Sequence, residues 1–224
     1  MVLDAAKMER AFTRLGEMAL DAGRVVDMAV YGGSALAVAY DLRATTKDVD
    51  AVFEKDRDFV RKAVEAVAAE MDLPSDWLND AVKGYVSPNE SGNMVIKFGS
   101  FPSEERAGLR IFVPAPEYFF AMKCIDIRTG TSSKDVEDVK NLALVCKIKD
   151  ANEAMNIVES FYPNGPIPTR TSVAIQEIFE LLDVEKEIKV GRSEFNEALA
   201  KHRGERTAPA VADEAEPSKP RGST

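Results

Sequence analysis

A chain of 224 residues with 45% hydrophobic and 30% charged side chains has the make-up of an independently folded globular protein, with room for one substantial core and a helical extension. No run approaches the roughly 18 consecutive apolar residues of a membrane span, and the single histidine, His202, at the edge of a polar tail, argues against Ser-His-Asp or Cys-His catalysis and against a histidine-rich metal site. A formal net charge of -9 argues against a broad nucleic-acid-binding surface, although a local basic groove is compatible with it.

The N-terminus lacks a basic start followed by an apolar run, so a cytoplasmic protein is expected. Residues 3 to 22 place Leu3, Met8, Phe12, Leu15 and Met18 on one helical stripe, ending near Ala22-Gly23. Arg24 to Tyr31 reads as a strand that stops at Gly32-Gly33, and Ser34 to Leu42 as a short helix. Asp48 to Phe53 returns as a strand, with Val49, Ala51 and Phe53 opposite Asp48, Asp50 and Val52. An amphipathic helix follows over 56 to 71, and a shorter one over Asp76 to Val82 carries Trp77. Two further strands are predicted over Asn93 to Phe98 and Leu109 to Val113.

From Pro116 onward the pattern is helical, over 117 to 128, 133 to 147, 151 to 161 and 170 to 183. Cys124 and Cys146 fall inside these patterns and form no C-x-x-C, so both are expected as reduced, packed thiols. Residues 203 to 224 hold four basic and four acidic side chains without apolar periodicity and are expected to be disordered. The organisation expected is therefore an α+β (mixed α/β) core over 1–115, a helical region over 116–202 and a tail over 203–224.

With histidine disfavoured, chemistry falls to carboxylates. Gly32-Gly33-Ser34 permits close approach of backbone to a phosphate, with amides of the following helix start and the Ser34 hydroxyl as donors. Alternate residues of a strand share a face, so Asp48 and Asp50 project together at a spacing of roughly 7 Å, suited to a divalent cation. Hard oxygen ligands beside bound phosphate are what nucleotidyl transfer needs. The same residues also fit a helix N-cap at Ser34 and a solvated strand end. Arg43 and Lys47, on the loop before the Asp pair, are candidate nucleotide contacts. Trp77 and Phe119-Phe120 fit core packing better than stacking on bases.

Gly32-Gly33-Ser34-Ala35-Leu36, then Tyr40, Arg43, Thr45 or Thr46, and Asp48-Val49-Asp50 resemble the signature of the polymerase-beta-like nucleotidyltransferase superfamily. Within it the chain is similar to stand-alone bacterial enzymes of the AbiEii/MenT type, many of them toxins of toxin–antitoxin pairs. That branch continues with a helix bearing a lysine and an arginine and then K-D-x-x-D, matched here by Lys123, Arg128 and Lys134-Asp135-Val136-Glu137-Asp138. The resemblance spans residues 28 to 145. It implies a small mixed β-sheet core flanked by helices with a C-terminal helical bundle. It implies magnesium or manganese held by Asp48 and Asp50, an NTP substrate cradled by Gly32, Gly33, Ser34, Arg43, Lys47 and Arg128, and catalytic roles for Lys123 and Asp138.

Lys123 would then reach the β- or γ-phosphate, and Asp138 would orient a lysine or serve a metal or the acceptor hydroxyl. Ser132 with Asp135 also fits a capping box, with Asp138 a surface acid. Neither later strand carries the third metal-binding carboxylate common in the superfamily. The expected activity is transfer of an NMP from an NTP to a hydroxyl of tRNA or another macromolecule, such as a protein, with a cognate antitoxin as a partner. A catalytically weak nucleotide-binding regulator and a small-molecule nucleotidyltransferase are the alternatives.

Overall fold

A computed structural model describes residues 2–80, 87, 94–127 and 134–206. The helices described are α1 (Ala5–Asp21), α2 (Gly32–Val38), α3 (Arg57–Met71), α4 (Pro116–Asp126), α5 (Lys134–Val145), α6 (Ala151–Phe161) and α7 (Thr169–Arg206). The strands are β1 (Val26–Tyr31), β2 (Val49–Val52), β3 (Leu78–Asn79), β4 (Val95–Pro102) and β5 (Ala107–Pro114). They form one mixed sheet in the order β3-β2-β1-β5-β4. β1 runs antiparallel to β2 and parallel to β5, β3 is parallel to β2, and β4 closes the far edge antiparallel to β5. The α+β class expected from the sequence is the one observed.

Alternation drives the assembly. Val26, Met28 and Val30 of β1, Val49 and Ala51 of β2 and Leu109, Ile111 and Val113 of β5 are buried, as are Met8, Phe12 and Leu15 of α1 and Val60, Val64 and Val67 of α3. Burial of these stripes, at about 1.5–3 kcal/mol per large side chain, is the main driving force. Tyr31 packs with Met94 and with Tyr118 and Met122 of α4, against which Ala29 and Val52 also lie. The site-bearing end of β1 is thereby fixed to α4.

The N-terminal segment anchors the loop that precedes β2. Leu3 is buried and exchanges two backbone hydrogen bonds of 2.8 Å with Thr46, an isolated antiparallel bridge. Asp4 then caps α1 by accepting from the Lys7 amide.

Two expectations need correcting. Residues 76 to 80 are not helical: Trp77 is fully buried, its indole N–H donates to the Val64 carbonyl at 3.1 Å, and its own carbonyl accepts from Val49. Anchoring the indole under α3 leaves Leu78-Asn79 extended beside β2, which outweighs the weak helical period of so short a segment. The last helix runs on to Arg206, past the expected end at 183 and into the stretch expected to be disordered from 203. Residues 184–202 are rich in Glu, Lys and Ala and contain no proline, so propensity favours continuation. The rest of that tail, 207–224, lies outside the described residues, as do the Asn93 start of the predicted strand and Ser132 of the capping box.

Met1–Glu180 form one compact unit and Leu181–Thr224 a second. The division expected at 115/116 falls inside the first unit, because α4 pairs with both α5 and α6 there while packing on Tyr31. Within that unit α7 contributes buried Ile175, Ile178 and Phe179. Cys124 and Cys146 are free thiols, both pushed up in pKa by burial, Cys146 to about 11. Among the described residues no helix is long and apolar enough to cross a membrane.

Candidate active site

β1 ends at Tyr31 and the chain turns through Gly32 at φ +62, a left-handed conformation that favours glycine. A second constraint is steric. A Cβ on Gly32 would stand 2.4 Å from Asp50 Oδ2, and one on Gly33 would stand 2.6 Å from an Arg43 guanidinium nitrogen and 2.9 Å from Thr46 Oγ1. The missing side chains let the Asp50 carboxylate and the Arg43 loop close over the turn. Gly32→Ala is expected to cost about 1–2 kcal/mol from backbone strain alone and to push the Asp50 carboxylate aside; calorimetric melting should show a lower midpoint.

Asp48 and Asp50 flank the buried Val49 and both line one cavity beside Gly32 and Gly33. Asn79, opposite Asp50 in the β2–β3 pairing, donates its amide to Asp48 Oδ2 at 3.3 Å and hydrogen-bonds Asp50. Burial, and then the Asp48 charge, hold the Asp50 carboxyl above its ordinary pKa; Lys123 and Asn79 pull the other way, and Asp126 adds a smaller push upward. Such mutual repulsion is relieved by a bound cation.

The cations come from elsewhere. On α4, Phe119, Met122, Lys123 and Asp126 follow the i, i+3, i+4, i+7 spacing of one helical stripe, and all four line the cavity. Lys123 Nζ lies 2.8 Å from Asp138 Oδ2 and 3.7 Å from Asp135 Oδ1. Arg43 reaches both oxygens of Asp138, at 2.9 and 2.7 Å. Asp138, 3% exposed, thus ties the loop before β2 to α4 through α5. The cavity holds about 680 Å³, within the range of small-molecule sites. Lys47, Lys134 and Asp135 complete its charged rim.

Of the residues singled out from the sequence, Gly32, Gly33, Arg43, Lys47, Asp48, Asp50 and Lys123 line this one cavity, and Asp138 stands behind it holding Arg43 and Lys123. Ser34 is a correction: its hydroxyl is fully buried and donates to the Tyr31 carbonyl at 2.7 Å, so its proton is spent on the turn and not on a ligand. For Asp138, of the roles open from the sequence, the geometry fits the one that orients a lysine. The surface reading is overturned by its burial. Arg128 lies outside the described residues. Trp77 and Phe120 are core, while Phe119 is both buried and part of the cavity wall.

Sequence reasoning missed Asn79 and Asp126. The i+3 spacing of Asp126 from Lys123 was the available signal, whereas nothing local marks Asn79, whose role comes from strand pairing.

No protein-family model matches the chain, and neither the curated proteins nor the solved structures hold a significant match to it.

Proposed function

We propose that this cavity binds a nucleoside triphosphate and transfers its nucleoside monophosphate to a hydroxyl acceptor. The observation that carries the reading is the pair Asp48 and Asp50, set against a left-handed glycine turn and facing the tethered cations Lys123 and Arg43 in one cavity of small-molecule size.

A magnesium or manganese ion fits this donor set. Among the described residues no group of three or more His, Cys, Asp or Glu could hold an ion alone, but two carboxylates with substrate phosphate oxygens and water are a usual shell for a small hard cation. Asp48 and Asp50 would hold it, and its chemistry there is Lewis-acid activation of the attacking hydroxyl and neutralisation of the leaving pyrophosphate. The Gly32-Gly33 turn gives the phosphates access to backbone amides that a side chain would block. Lys123 and Arg43 place positive charge where the β- and γ-phosphates develop charge, and Asp138 fixes their direction. Phe119 and Met122 offer apolar wall to the base. The acceptor oxygen attacks the α-phosphorus in line, its bond forms as the α–β bridging bond breaks, and pyrophosphate leaves with the bonding pair.

The acceptor class follows from the resemblance, which favours tRNA or another macromolecule and a toxin held in check by an antitoxin. The test is incubation of the purified protein with each α-labelled NTP, magnesium and total cellular RNA and protein. Label should enter a macromolecule with at least one NTP and disappear with EDTA. Absence of transfer from all four NTPs would sink the reading; nucleotide binding indifferent to magnesium would favour a non-catalytic binding protein instead.

A further inference from the structure

We infer that Asp126 is the group that takes the proton from the acceptor hydroxyl, an inference that rests on the nucleotidyl-transfer reading above. Attack by a hydroxyl is assisted by a base positioned to take its proton, and with no histidine among the residues lining the cavity a carboxylate with unoccupied oxygens is the group suited to it. The other acids are already committed. Asp138 is gripped by Arg43 on both oxygens and by Lys123 at 2.8 Å. Asp135 lies 3.7 Å from Lys123. Asp48 and Asp50 share Asn79, sit against the glycine turn and form the cation-holding pair.

Asp126 is the remaining acid of the cavity wall. Among the described residues it makes neither a hydrogen bond nor an ion pair, although Lys123 stands one helical turn away on the same stripe; the Lys123 ammonium is drawn to α5 instead. It is the last residue of α4, partly exposed, and lines the same cavity as Asp50. Along the stripe it lies on the other side of Lys123 from Phe119, in the same cavity wall. In the step, the acceptor O–H proton passes to an Asp126 oxygen, the O–P bond forms at the α-phosphorus, and the electron pair of the broken α–β bridge leaves on pyrophosphate. The protonated Asp126 returns its proton to water.

The experiment compares wild type, Asp126→Asn and Asp126→Glu in single-turnover transfer from a saturating α-labelled NTP, in whichever total RNA or protein fraction the wild type labels, with NTP affinity and melting temperature measured alongside. Asp126→Asn is expected to slow transfer about a hundredfold or more, the contribution usual for a positioned base, with NTP affinity in magnesium changed by less than about twofold. Asp126→Glu is expected to recover at least about a tenth of the wild-type rate, since it restores a carboxylate one methylene displaced. Transfer by Asp126→Asn within about threefold of wild type would overturn the inference, and so would a fall in NTP affinity parallel to the rate, which would make Asp126 part of the phosphate and cation site. A wild type that labels nothing removes the transfer reading itself and this inference with it, an outcome distinct from failure of the variants alone.

Discussion

Asp50→Asn is expected to abolish nucleotidyl transfer, by about a thousandfold or more given the scale of transition-state electrostatics, while making the metal-free protein more stable. The two effects share a cause. Burial and the neighbouring Asp48 charge raise the Asp50 pKa in the folded chain, so the native state holds this proton more tightly than the unfolded state does. Below the unfolded pKa the group is neutral in both states and costs nothing; as pH rises through the raised native pKa, ionisation penalises the fold and stability is lost. Asparagine keeps the shape without the charge. In EDTA the variant should therefore melt above wild type at pH 7, with the gap closing toward pH 4, each kcal/mol relieved appearing as about 2–4 °C in a chain of this size. Magnesium should reverse the order, since it stabilises the state that binds it and only the wild type presents both carboxylates. A wild type that melts above Asp50→Asn in EDTA at neutral pH would mean that the acid pair carries no strain for a cation to relieve.

The parts of the site legible in the sequence were those written in consecutive residues. Gly32-Gly33 after an apolar run, and two acids on either side of a buried valine, are local patterns, and the alternation of Val49 and Ala51 against Asp48 and Asp50 carries through into the burial of β2. Helix α6 also has its predicted bounds because Asp150 caps its start, accepting from the Glu153 amide. What the sequence hid is long-range. Asp138 and Arg43 are 95 residues apart, and their two-pronged contact exists only because α5 is folded against the loop that Leu3 holds down. Asn79 reaches the acid pair because Trp77, buried under α3, draws its neighbours into an edge strand. Ser34 misled for the opposite reason: its place after two glycines fits a phosphate donor, but the third residue of α2 faces inward and its nearest acceptor is the Tyr31 carbonyl.

Asp138→Ala is expected to be the most destabilising single change at the site and to silence it without touching the acid pair. Its carboxylate is buried, and it neutralises two cations whose own side chains are only 22% (Arg43) and 11% (Lys123) exposed. Removing one partner of a buried ion pair typically costs about 3–5 kcal/mol, because the charge left behind has lost its water as well as its partner. Arg43 retains some access to solvent, which places the loss toward the lower end, about 3 kcal/mol, or a fall in melting temperature of about 6–12 °C. Asp138→Asn keeps the volume and one acceptor and should lose less. Both variants should lose transfer and weaken NTP binding, since Lys123 and Arg43 would be free to swing away from the phosphates. Magnesium alone should still raise the melting temperature of Asp138→Asn as it does for wild type, in contrast to Asp50→Asn. Loss of that response in Asp138→Asn would make Asp138 a ligand of the cation and leave the direction of the two basic side chains to some other residue.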